Sequence, residues 1–214
     1  MVMKQLFLAA LLLLNLNMYG QTVKISYSEN PETDTPTQLA MELDQKTYLK
    51  AVIQADFSTK KKYALTHYKC QDGIVTKTEL PIPLALSSMA LKEGADSLVI
   101  EVMMQQLQDS VKLAFAIDGK PRSLMIPRNY KIPFPDSDQQ TYILMETYLD
   151  TPVSIDDEIP LVAVTSGICK IIQMGELRMF GQEFCDLRDK HIHPKDWCTI
   201  EGVGNYSFYT ISFQ

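Results

Sequence analysis

"SLVIEVMMQQLQDSVKLAFAI", residues 97–117, decides the fold class. Leu98, Ile100, Val102 and Met104 recur at every second position, as do Val111, Leu113, Phe115 and Ile117, and the polar link Gln108-Asp109-Ser110 separates the two runs. Successive side chains of a β-strand point to opposite faces, so a period of two marks a strand with one buried face, whereas a helix repeats every 3.6 residues. Two such runs joined by a short polar link predict an antiparallel hairpin.

Outward from this pair the same period recurs. Toward the N-terminus, Leu39, Met41 and Leu43 alternate with Gln38, Glu42 and Asp44. After Asp44-Gln45-Lys46-Thr47 the pattern resumes as Leu49, Ala51, Ile53, Ala55 and Phe57, so two strands with a turn at 44–47 are expected. Tyr63 to Cys70 and Ile74 to Leu80 flank Gln71-Asp72-Gly73, whose residue types suit a tight reversal. Asp118 to Arg122 turns the chain into a short strand near Ser123 to Ile126. Further strands are expected at Tyr142 to Leu149, Ile159 to Thr165 and Tyr206 to Phe213. In the last of these Tyr206 and Phe208 face one way, and Tyr209, Ile211 and Phe213 the other.

Short strands at such spacing predict a mainly β, antiparallel, sandwich-like fold, with a short helical or irregular C-terminal excursion over Gly175 to Trp197. Pro127, Pro133 and Pro135 lack amide donors, so they predict an extended connection and a sub-boundary near 127–140 within one unit spanning 21–214.

Lys4 precedes the apolar run Leu6–Leu14, which Asn15 breaks before Gly20. That layout predicts a secretory signal peptide over residues 1–20. The run is too short to cross roughly 30 Å of hydrocarbon as a helix. Export to the periplasm, the cell surface or the medium follows, with no transmembrane segment after cleavage. The net charge of −6 gives no basic footprint for nucleic acid, and Lys60, Lys61 and Lys62 read as a solvated strand start.

The densest polar chemistry is "CDLRDKHIHPKDWC", residues 185–198. Cys185, His191, His193 and Cys198 offer the thiolates and imidazoles that suit tetrahedral zinc, but the two cysteines stand thirteen positions apart without the close partner that structural zinc sites use. In an oxidising compartment the four cysteines read instead as disulfides: Cys185 with Cys198, and Cys70 with Cys169. Free thiols and other connectivities stay open. His193-Pro194 also reads as the start of a short helix that turns Trp197 into the core, because proline suits a first helical position.

In a catalytic reading His191 or His193 acts as general base, oriented by Asp186, Asp189 or Asp196. A nucleophile is missing, since "VTSGIC" at 164–169 does not match the Gly-x-Ser-x-Gly elbow. The chain also lacks a His-Glu-x-x-His run, a phosphate loop and a dinucleotide fingerprint, so no cofactor is implied. The acids of "PDSD" at 135–138 and "SIDDE" at 154–158 read as solvated turns.

"TSGICKI", "CDLRDKHIHPKDW" and the closing "YSFYTISF" together resemble small exported proteins of unknown function from Bacteroides-type gut bacteria, over residues 150–214. The resemblance implies an exported, envelope-associated protein and assigns no activity. Two functions follow from the sequence. The first is a non-enzymatic binding module for a protein or glycan at the envelope. The alternative is a hydrolase of an extracellular polymer, using Asp156, Asp157 or Asp186 with His191 or His193.

Overall fold

The computed structural model describes residues 21–29, 35–78, 89–107, 110–118, 130–133, 142–147, 149, 152–189 and 191–214. The expected signal peptide at 1–20, the strand at Ser123–Ile126 and the acids of 135–138 lie outside the described residues.

The opening hairpin forms as expected. β6 (Ser97–Gln106) and β7 (Ser110–Ile117) pair antiparallel, with Ile100 opposite Ile117, Val102 opposite Phe115 and Met104 opposite Leu113. All six side chains are buried on one face. Around them a six-stranded antiparallel sheet assembles from β1 (Thr22–Ser28), β2 (Lys46–Gln54), β8 (Tyr130–Pro133) and β10 (Val153–Ser154), in the order β10-β1-β2-β6-β7-β8. The proline-rich stretch supplies β8, an edge strand, where a residue without an amide donor is tolerated.

The second sheet runs β4-β3-β14-β11-β9, from β3 (Lys62–Gln71), β4 (Ile74–Thr78), β9 (Ile143–Glu146), β11 (Ile159–Thr165) and β14 (Tyr206–Phe213). The two-residue β5 (Met89–Ala90) also pairs with β3. Asp72 at φ +53° and Gly73 at φ +76° make the tight turn between β3 and β4, the left-handed pair that a two-residue hairpin requires. Strands from either side of residues 127–140 pair in both sheets: β1 with β10, and β3 with β14.

One buried cluster fills the space between the sheets, combining Leu49, Ile53, Ile100 and Leu113 of the first with Leu65, Val162, Tyr209 and Ile211 of the second. The fold is therefore mainly β and sandwich-like. Among the described residues no helix is long and apolar enough to cross a membrane.

Two expectations need correction. Leu39, Met41 and Leu43 lie on α1 (Thr35–Leu43), not on a strand. Three alternate apolar residues fit either period, since Leu39 and Leu43 are also one helical turn apart. Pro36 in the first turn favours the helix, and Gln45 at φ +53° follows its end. The consequence is exposure: Leu39 is 57% and Leu43 86% accessible. Secondly, the first part of the expected excursion, Leu177–Glu183, is a strand, β13, which pairs with β12 (Ile168–Met174) in a separate hairpin around Gly175.

The excursion proper is short, comprising α2 (Cys185–Asp189) and a 3-10 helix at Pro194–Thr199. It covers the face of the second sheet that points away from the sandwich. A second cluster joins Leu187 and Trp197 to Cys70, Met145, Ala163, Tyr206 and Phe208. The molecule thus has three layers: sheet, sheet, and a thin C-terminal cover.

Candidate functional site

The cover is held by polar anchors that the sequence only partly announces. His193 caps the 3-10 helix, its Nδ1 accepting from the Lys195 amide at 3.1 Å, and Pro194 follows at the first helical position. Trp197 is 1% accessible, and its indole N–H donates to the Ile192 carbonyl at 2.9 Å. The helix start expected at His193-Pro194 is present, in 3-10 form. At the other end of the cover, Arg188 of α2 grips the nearly buried Glu146 of β9, with Nε 2.7 Å from Oε1 and Nη2 3.2 Å from Oε2. The same Nη2 lies 3.2 Å from Glu29, at the end of β1.

Among the described residues no three His, Cys, Asp or Glu side chains are placed to hold a metal ion, so Cys185, His191, His193 and Cys198 are not a zinc quartet. Asp186, in the first turn of α2, lies 3.8 Å from the Lys170 ammonium, which also pairs with Glu183. His191 sits in the left-handed region at φ +49°. Burial and then Lys195 lower the proton affinity of His193, while Asp196 and Glu158 oppose them. The carboxylates acting on His193 are Asp196 and Glu158. Glu158 in turn accepts from Tyr68 Oη, at 3.0 and 2.9 Å, and from the Thr210 hydroxyl. Asp156 pairs with Lys60 at 2.6 Å, and Asp157 accepts from the Ser154 amide. Ser166, beside Gly167, is completely buried and has no access to substrate.

The expected Cys185–Cys198 staple is absent. Cys70, Cys185 and Cys198 are free thiols, and Cys185 is exposed on α2. Cys198 turns the other way, toward the sheet, because Tyr206 Oη accepts from its amide at 3.0 Å while donating to the Pro194 carbonyl at 2.6 Å. Cys70 lies directly opposite Tyr206 in the β3–β14 register, beneath Cys198, whereas the backbone of Cys169 belongs to the β12–β13 hairpin.

A surface that the sequence reading did not single out lies on the outer face of the first sheet. The segment after β5 is tied down by the Leu91 amide donating to the Lys61 carbonyl at 2.9 Å, and by the Ala55 amide donating to the Asp96 carbonyl at 3.3 Å. Gly94, at φ +70°, turns it back toward β6. Between this segment and the sheet is an open cleft of about 990 Å³, lined by Lys50, Lys92, Glu93, Asp96, Glu101 and Asp118 among others. Lys50 and Glu101 are cross-strand partners in the β2–β6 register, and Tyr48 Oη donates to Glu101 at 2.5 Å. Four carboxylates face two lysines there, so the cleft disfavours polyanions and suits a neutral or basic ligand. The residue signal was present: Lys50 and Glu101 are the polar members of alternating strands. Their pairing depends on a register that composition does not carry.

No family model, curated protein or solved structure matches this chain, so the resemblance over residues 150–214 rests on those residues alone.

Proposed function

We propose that the chain is an exported, non-enzymatic binding module of the cell envelope that takes an extended neutral or basic ligand, a glycan or a segment of an envelope protein, across the outer face of its first sheet. The observation that carries this reading is the open cleft over Lys50, Glu101 and Asp118. Its volume stands at the upper end of the about 300–1,000 Å³ usual for ligand sites, and its lining offers donors and acceptors on a rigid sheet. Hydrogen-bonding groups on a strand keep their spacing when a ligand arrives, so little ordering is needed at binding. Export rests on Lys4 and the apolar run Leu6–Leu14.

The test is a titration of the full chain against neutral glycan arrays and against solubilised envelope fractions, in parallel with Glu101→Ala and Asp118→Ala. The expected result is one saturable ligand class whose binding both substitutions weaken at least tenfold. Saturable binding that neither substitution alters, or no saturable ligand in either screen, would sink the reading.

A further inference from the structure

The thiols of Cys70 and Cys198 lie on the opposite side of the molecule from the cleft and play no part in it. Cys70 is near the end of β3, 2% accessible, and directly opposite Tyr206 of β14, so both side chains point into the cover. Cys198 belongs to the 3-10 helix lying over that point. Tyr206 fixes the approach: its hydroxyl holds the Cys198 amide and the Pro194 carbonyl, while its backbone stands opposite Cys70 in the strand register. Cys198 packs against the buried cluster that contains both Cys70 and Tyr206. Two cysteines separated by most of the domain in sequence are thereby brought together by strand register and one tyrosine.

We infer that Cys70 and Cys198 are a disulfide site, whose oxidation clasps the C-terminal cover to the second sheet. The oxidant is a disulfide donor of the thiol-exchange class. Cys198 is the half-exposed partner and attacks first. Its thiolate displaces one donor sulfur, forming a mixed disulfide and releasing one donor thiol. The Cys70 thiolate then attacks the Cys198 sulfur, forming the Cys70–Cys198 bond and releasing the second donor thiol. The protein loses two electrons and two protons, and the donor disulfide gains them. Burial pushes the Cys70 thiol up and so lowers its thiolate fraction, which assigns it the second step, where attack is intramolecular and proximity offsets that loss. Closing the bond also removes a chain-length loop from the unfolded state, so the oxidised form is the more stable one.

The full chain, purified reduced, is incubated with oxidised glutathione, quenched with N-ethylmaleimide and mapped by non-reducing peptide mass spectrometry. The expected product joins the Cys70 and Cys198 peptides, leaves Cys185 as an adduct, and melts higher than the reduced chain until dithiothreitol is added. Cys185→Ser leaves the cross-link intact. Cys198→Ser and Cys198→Ala, each checked for native circular dichroism, abolish both the cross-link and the redox-dependent shift in Tm. A cross-link from Cys198 to Cys185 or Cys169, or separate adducts on Cys70 and Cys198 in a chain that stays folded, would overturn the assignment.

Discussion

Replacing Gly167 with alanine isolates a clash whose size can be worked from the structure. Gly167 joins β11 to β12 at φ +73°, with its amide donating to Thr165 Oγ1 at 3.0 Å. A β-carbon there would stand 2.5 Å from the Glu183 carbonyl oxygen and 2.7 Å from a ring carbon of Phe184. Left-handed backbone costs a non-glycine residue about 1–2 kcal/mol, and forcing an extra carbon into packed surroundings adds about 1–3 kcal/mol. Gly167→Ala should therefore lose about 2–5 kcal/mol in all. Gly175→Ala is the matched control, at φ +64° with no atom within 4 Å of the new carbon, and it should lose only the backbone share. Urea unfolding followed by the fluorescence of the single tryptophan, Trp197, measures both, provided the slopes agree with the parent chain. Equal losses for the two variants would refute the close approach of the β13 backbone to Gly167.

Three further predictions use other parts of the molecule. Trp197→Ala empties the centre of the cover and should lower unfolding stability by about 3–5 kcal/mol, with early hydrogen exchange at the 3-10 helix; a loss under about 1 kcal/mol would mean that the cover adds nothing to the cooperative fold. Arg188→Ala strands the nearly buried Glu146 carboxylate and should cost about 2–3 kcal/mol, below the range for a fully buried pair because the guanidinium is half-exposed; Glu146→Gln in the same chain should restore part of it. His67, 3% accessible and stacked on Tyr209 at 4.7 Å, has its pKa lowered to about 4 by burial and then by Lys69. The unfolded chain takes up this proton near pH 6.5 and the folded chain only near 4, so stability falls as pH drops through that window. The loss amounts to about 3 kcal/mol at most. His67→Gln should flatten the pH dependence between 6.5 and 5, and an unchanged slope would remove His67 as its source.

The strands that sequence located best are those with long, strict alternation and one dry face. β6, β7 and β3 bury alternate side chains between layers, and the two-residue period is written directly into their sequence, whereas β14 is buried on both faces and shows its aromatic residues on each. β11 was found for a different reason: it is buried on both faces, so it reads as a continuous apolar run, IPLVAVT, of strand length. α1 was misread because three apolar residues cannot separate a period of two from one of 3.6 when the helix buries none of them. β1 is harder to read although Val23, Ile25 and Tyr27 alternate, since the run is short and these residues are only half-buried at the margin of the core. The β12–β13 hairpin escaped because Lys170, Gln173 and Arg178 dilute its pattern, and it pairs mainly with itself outside the two main sheets.

The cysteine chemistry shows where local reasoning fails and what replaces it. Cys185 and Cys198 look like partners because a short loop is easy to close, yet helical geometry governs that stretch: α2 and the 3-10 helix are separate turns, and the left-handed backbone at His191 lies between them. Cys70 meets Cys198 instead because the β3–β14 register places Cys70 opposite Tyr206, whose hydroxyl meets the Cys198 amide. Register has a parity. A slip of one residue would turn Cys70 inward beside the core cluster and leave Lys69 under the cover, so the hydrophobic pattern that fixes the sandwich also fixes which thiols can meet. The pairing is thus a property of the whole sheet, and a substitution that shifts the β3–β14 register should abolish the cross-link without touching either cysteine.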